Sequence, residues 1–341
     1  MRAVFQIAAG EPVDVLAVRN TVSPTAPGPG EVLVRVVLAP VHHGDLFVTR
    51  SAQWGSGADG EPELIPRGSE AVGVIEAIGR GTSAHDGLKV GARVAVFPGP
   101  GIWRERIVVP AASVIVVPSS LPDDVASMVL VNGITARMIL RRTQQQLVET
   151  GEGIVIQSAA GALVAQLLAT LLRESDIPVI NLVRRSASTA LLSKQFPDIP
   201  VVATDVEHWQ QQVHRYADGR SVAVAVDCVG GPFAGALALL LKDGGAIVTY
   251  GGLAGGPIDL TSLQITSREL GLKGVSIGRW FSNTPPELQR KDVEAAVDLA
   301  VKHSDLYSVA AEYPLERISE AVVHVERPGK SGAVLLRIND R

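Results

Sequence analysis

Short β-branched runs separated by turn residues fill the first third of the chain, and most have no helical period between them. Residues 31–37 follow the turn cluster Pro27-Gly28-Pro29-Gly30, residues 73–79 and 91–97 each open on glycine, and residues 107–110 and 114–118 add two shorter segments. Strands this closely spaced predict a compact, largely antiparallel β domain. The grammar changes after Pro122. Apolar spacing turns helical over 123–142, and strands then alternate with helices. Continuous apolar strands are predicted at 154–156, 179–183, 201–203, 222–226, 246–250 and 272–277, with helices over 162–173, 187–195 and 207–216. That alternation predicts a doubly wound parallel sheet covered on both faces. A helix over 286–303 and strands at 310–313 and 333–338 follow, and these are expected to return to the first domain.

Composition narrows the class. Of 341 residues, 46% are hydrophobic and 19% charged, which supplies packed cores and excludes a disordered chain. The formal net charge of −4 offers no basic field to a nucleic acid, and aromatic residues at 4% are too few for base stacking. The single cysteine, Cys228, excludes a disulfide within the chain and a four-cysteine zinc lobe, and it reads as an inert buried thiol. No run approaches a membrane span, and the N-terminus breaks into charge and turn before a secretory apolar segment forms. A cytoplasmic protein acting on a small molecule is expected.

In a doubly wound sheet, a dinucleotide sits beyond the carboxyl ends of the strands, over the first strand–turn–helix. Here that turn is Gln157-Ser158-Ala159-Ala160-Gly161-Ala162-Leu163-Val164. Gly161 is its one glycine, so Ala160, Gly161, Ala162, Leu163 and Val164 are the candidate pyrophosphate contacts. About 20 residues after the glycine turn, where an NAD site carries an acid, stand Arg184-Arg185-Ser186. Arginine there grips a 2′-phosphate, and an anionic guest relieves cations from the helix start they face, so NADPH is the expected cofactor. Gly230 and the run Tyr250-Gly251-Gly252 lie in glycine-rich strand ends suited to the nicotinamide half. Lys330, in the loop 327–332, is a candidate phosphate cap.

Further signposts occur in order. They are Pro27-Gly28-Pro29-Gly30-Glu31-Val32-Leu33-Val34, Val41-His42-His43-Gly44-Asp45-Leu46, Gly68-Ser69-Glu70-Ala71-Val72-Gly73, Val90-Gly91-Ala92-Arg93-Val94 and Gly329-Lys330. With them, almost the whole chain resembles the medium-chain dehydrogenase/reductase superfamily. Val131-Asn132-Gly133-Ile134-Thr135-Ala136 and Gln157-Ser158-Ala159-Ala160 look most like its 2-enoyl thioester reductase branch, close to the quinone oxidoreductases. The resemblance implies a GroES-like β domain (1–122 and 279–341) beside a Rossmann domain (123–278), with the active site in the cleft between them. It also implies a homodimer joined through the last Rossmann strand, at 271–277. Arg279-Trp280-Phe281 would line the substrate pocket or anchor that interface.

Zinc members of the superfamily place a cysteine, a His-Glu pair and a second cysteine or acid around the metal. The matching positions here hold His42, Ser69-Glu70 and Asn132, and serine and asparagine are poor zinc ligands. A zinc-free branch is expected, with no bound metal. Without a Lewis acid, hydride delivery to a polarised C=C or a quinone is easier than alcohol oxidation. The branch's tyrosine proton donor is absent: the place is taken by Gln53 or Trp54. That leaves His42 and His43 as the alternative acids, with Trp54 as a hydrogen-bond donor. Asn132 is placed to orient a carbonyl or the nicotinamide, and Thr135 to contact the cofactor or pack in its helix. The leading expectation is NADPH-dependent reduction of an enoyl thioester or enone. The alternatives are a quinone oxidoreductase and a non-catalytic NADPH-binding member of the fold.

Overall fold

The computed structural model describes residues 1–51, 64–82, 87–99 and 101–340. Its contacts divide into two units, Met1–Gly133 with Pro286–Arg341, and Ile134–Pro285. The junctions fall at 133/134 and 285/286, later than the change of pattern at 122/123 and 278/279. The helix Val129–Thr150 begins in the first unit and continues into the second. Its first turn is held by Glu70 of the first unit, which moves the junction inside the helix.

The first unit carries a sheet in the order Val309–Pro314, Ala333–Arg337, Glu31–Pro40, Ala71–Ile78, Arg93–Val96, Val114–Val116, with Arg106–Pro110 also paired to Glu31–Pro40. Only the first pair is parallel. The two C-terminal strands complete the N-terminal sheet, with Leu336 opposite Ala39. Glu31–Pro40 is buried at eight of its ten positions, which explains its nearly unbroken apolar text. Beneath it, Val34, Val36, Leu46, Ile75 and Trp103 share one core. The indole of Trp103 is fully buried and gives its one donor to the Pro40 carbonyl at 3.0 Å.

In the second unit the sheet runs Val201–Ala203, Val179–Val183, Ile154–Gln157, Val222–Asp227, Leu241–Thr249, Gly271–Gly274, and every pair is parallel. Counted along the chain this is the 3-2-1-4-5-6 order of a doubly wound sheet, as the pattern predicts. The order reverses between Ile154–Gln157 and Val222–Asp227, where such folds bind their ligands. The last strand stops at Gly274 rather than 277, because its partner's ladder ends at the Thr249–Gly274 pair. Among the described residues, four helices of seven residues or more escape the apolar pattern: His43–Ser51, Gly231–Ala238, Ser262–Arg268 and Ile318–Glu326. Ser262–Arg268 buries nothing, so it has no apolar period; its signal is the Thr261–Gln264 capping box. No helix among the described residues is long and apolar enough to cross a membrane.

Candidate active site

Gly68 sets the approach to the first cluster. Its φ of +104° suits glycine, and a Cβ there would lie 2.5 Å from the Trp103 ring. Two residues on, Glu70 is only 2% exposed. Its Oε2 accepts the backbone N–H of Leu130 at 3.1 Å and of Val131 at 2.8 Å, in the first turn of Val129–Thr150. Those donors have no partner inside the helix, and the helix dipole favours an anion there. Glu70 Oε1 lies 2.6 Å from His42 Nε2. The backbone N–H of His42 donates to Asp45 Oδ2 at 2.9 Å, closing the start of His43–Ser51.

These contacts set the protons. Burial pulls the His42 pKa down, but the Glu70 hydrogen bond and the charges of Glu70 and Asp45 outweigh it, so the net shift is upward. Burial raises the Asp45 carboxyl above its ordinary value, against the charge and N–H of His42 and a hydrogen bond with Ser69. His43 is held below the ordinary histidine value by desolvation and then by the Lys330 charge. Lys330 itself is lowered by burial, and its Nζ donates to the Gly332 carbonyl at 2.6 Å. The fold thus brings Lys330 to His42 and His43, almost 300 positions away in the chain, with Glu70 and Asp45 also acting on His42.

Tyr307 is a residue that no sequence motif singles out. Its hydroxyl is buried with no hydrogen-bond partner among the described residues, and burial together with the Glu70 charge raises its pKa. No local motif points to it, because the strand pairing of the C-terminal segment brings it there. Asn132 is buried and spends its Nδ2 on the Met128 carbonyl at 2.8 Å, so that donor serves the helix. Trp54 lies outside the described residues.

The zinc positions can be tested on their donors. Both oxygens of Glu70 are occupied, one by His42, and Asn132 turns its amide nitrogen inward. Among the described residues no group of three His, Cys, Asp or Glu side chains is disposed to hold a metal. This donor set does not fit zinc.

The second unit builds a different site. After Ile154–Gln157 the chain turns through Ser158, Ala159, Ala160, Gly161 and Ala162 into the helix Leu163–Glu174. Ala159 takes a left-handed φ of 48°, the role a glycine usually fills. Ala160 is fully buried, whereas Gly161 and Ala162 are exposed and Leu163 and Val164 half-buried. The helix has no side-chain cap, and a Cβ at Gly161 would meet open space, so its N–H groups face a region that can take an anion. Arg184 and Arg185 are exposed just past Val179–Val183 and form no ion pair among the described residues. Sequence reading found no carboxylate at that strand end. The structure supplies one from the next strand: Asp205 accepts Ser186 N–H at 3.0 and 3.1 Å. Gly230 has a φ of 72°, and Gly251 and Gly252 lie beside it on the next loop. The Tyr250 hydroxyl is buried against the Cys228 thiol, which burial pushes up to about 11. Such a thiol is inert at neutral pH. Thr135 is buried within its helix.

Two family models match successive parts of the chain. Residues 28–119 match the alcohol dehydrogenase GroES-like domain, and residues 164–301 match the zinc-binding dehydrogenase domain. The chain is 24% identical over 333 residues to the mitochondrial enoyl-[acyl-carrier-protein] reductase of Dictyostelium discoideum, covering 96% of this chain and 92% of that one. The quinone oxidoreductase of Pseudomonas syringae superposes with a TM-score of 0.81 at 22% identity, over 98% of this chain and 99% of that one. The Escherichia coli quinone oxidoreductase, solved with NADPH, gives 0.80 at 18% identity, over 99% and 100%. With both domains present in order on a GroES-like sheet and a doubly wound sheet, the chain belongs to the medium-chain dehydrogenase/reductase superfamily.

Proposed function

We propose that this protein is an NADPH-dependent reductase that adds hydride to an activated C=C, of an enoyl thioester or enone, without a metal. The observation that carries the reading is the 2.6 Å His42–Glu70 contact, which raises the histidine's affinity for a proton at positions where zinc members hold their metal. Bound NADPH supplies the hydride. His42, with Nε2 engaged by Glu70, presents Nδ1 as the acid for the α-carbon, and His43, Asn132 and Trp54 are its candidate companions. The uncapped start of Leu163–Glu174, with Ala160, Gly161, Ala162, Leu163 and Val164, holds the pyrophosphate. Arg184 and Arg185 hold the 2′-phosphate. Gly230, Tyr250, Gly251, Gly252, Asn132, Thr135 and Lys330 complete the cofactor contacts.

The name of the Dictyostelium relative supports an enoyl thioester as substrate, and the NADPH complex of the Escherichia coli enzyme supports the cofactor. Quinone reduction is the second reading, because a phenolate product asks less of a protein acid. Pairing of two copies along the edge strand Gly271–Gly274, where Leu272 is exposed, would give a homodimer. A cytoplasmic location is part of the same reading, with the mitochondrion the alternative suggested by the relative's name.

Nucleotide fluorescence on titration with NADPH, followed by loss of nicotinamide absorbance with a crotonyl thioester, an enone and a quinone, tests the proposal. Oxidation by the thioester or enone is expected. Oxidation by the quinone alone selects the second reading, and binding with no turnover across the panel selects a non-catalytic protein.

A further inference from the structure

Ser158 and Asp227 meet across the point where the strand order of the second unit reverses. Ser158 follows Ile154–Gln157, and Asp227 ends the neighbouring Val222–Asp227. Asp227 is fully buried. Its Oδ1 accepts Ser158 Oγ at 2.6 Å and Val229 N–H at 3.0 Å, and its Oδ2 accepts Gly230 N–H at 2.8 Å. Ser158 Oγ in turn accepts Cys228 N–H at 3.1 Å, so the serine proton is directed to Asp227. Every contact on this carboxylate is a donor, and no cation pairs with it among the described residues. Three donors compensate the buried carboxylate in place of a counter-ion, so no neighbouring cation cancels its field among the described residues.

The same carboxylate is the hub of two loops. It holds the backbone at Gly230, where a Cβ would come within 3.2 Å of Gly252 Cα. Tyr250 N–H bonds the Asp227 carbonyl at 3.0 Å, Leu253 N–H that of Cys228 at 3.0 Å, and Ala254 N–H that of Val229 at 2.8 Å. These are the strand ends assigned above to the nicotinamide half of the cofactor.

We infer that Asp227 is a specificity-determining charge that distinguishes the two oxidation states of the nicotinamide, favouring the cationic oxidised ring over the neutral reduced one, and that Ser158 positions it. The inference rests on the NADPH reading. NADP+ and NADPH share the adenosine, the 2′-phosphate and the pyrophosphate, so repulsion between Asp227 and the phosphates cancels when the two are compared. What remains is the charge of the ring, in a site of low dielectric. Tighter hold on the oxidised form makes the bound reduced form a stronger hydride donor by the same factor.

The test measures dissociation constants for NADP+ by calorimetry and for NADPH by fluorescence, on the full chain. Asp227→Asn is expected to raise the NADP+/NADPH ratio of dissociation constants by about fivefold or more, the scale of one charge at moderate distance in a protein. Ser158→Ala, which keeps the charge, is expected to weaken both nucleotides and leave the ratio within about twofold. An unchanged ratio in an Asp227→Asn variant with native circular dichroism overturns the inference. Should that variant not fold, the unmodified protein decides: NADP+ binding at least as tight as NADPH supports the inference, and NADPH binding tighter by about tenfold overturns it. If the unmodified protein binds neither nucleotide, the NADPH reading itself falls.

Discussion

Glu70 divides its carboxylate between His42 and a helix: Oε1 sits 2.6 Å from His42 Nε2, while Oε2 takes the N–H groups of Leu130 and Val131. One buried side chain thus ties a β-domain histidine to the first turn of Val129–Thr150 and raises the histidine's affinity for a proton.

Replacing Glu70 separates these duties. Glu70→Gln keeps an acceptor and loses the charge, so the His42 pKa is expected to fall, since burial then dominates. NMR titration of the imidazole reads this directly. Glu70→Ala strands His42 and both N–H groups and is expected to cost about 3 kcal/mol in denaturant unfolding.

The His42 shift makes stability depend on pH. The folded pKa lies above the unfolded value of about 6.5, so the stabilisation is fully present below that pH and is lost as pH rises through the folded pKa. Thermal melts of the unmodified protein and of His42→Gln should therefore converge on going from acid to mildly alkaline buffer. A gap that stays constant rejects the assignment.

Arg184→Ala removes the proposed grip on the 2′-phosphate. Discrimination between NADPH and NADH is expected to drop about tenfold, the worth of a charge-assisted hydrogen bond. Binding titrations with both nucleotides measure it, and an unaltered preference places the 2′-phosphate elsewhere.

Tyr307→Phe deletes a buried hydroxyl that has no hydrogen-bond partner among the described residues. Unfolding free energy is expected to rise by up to about 1 kcal/mol, because no hydrogen bond is lost and a desolvation penalty is removed. A loss of stability shows that the hydroxyl is satisfied in solution.

Gly230→Ala forces a side chain onto a φ of 72° and to within 3.2 Å of Gly252 Cα. A cost of about 2 kcal/mol in unfolding, with weaker NADPH binding, is expected. Unchanged nucleotide affinity would separate this turn from the cofactor site.

Periodicity alone determined the two architectures. The strands at 179–183 and 201–203 coincide with the observed elements, because buried parallel strands must be apolar on both faces and so write themselves plainly into the sequence. The His42, Ser69, Glu70 and Asn132 positions were legible for a different reason: motif order placed them, and serine and asparagine at two of them spoke against zinc. What pattern could not supply was contact. Ser262–Arg268 buries no residue, so its helix leaves no apolar trace. Tyr307 and Lys330 reach the surroundings of His42 and Glu70 because Ala333–Arg337 pairs with Glu31–Pro40, a ladder between segments almost 300 residues apart. Asp205 caps the Ser186 turn because parallel strands end side by side, and the Ser158–Asp227 bond exists because strands one and four of the sheet are neighbours. Local propensity acts over a few residues. Shared protons and buried charges depend on which distant strands lie together, and only the tertiary structure decides that.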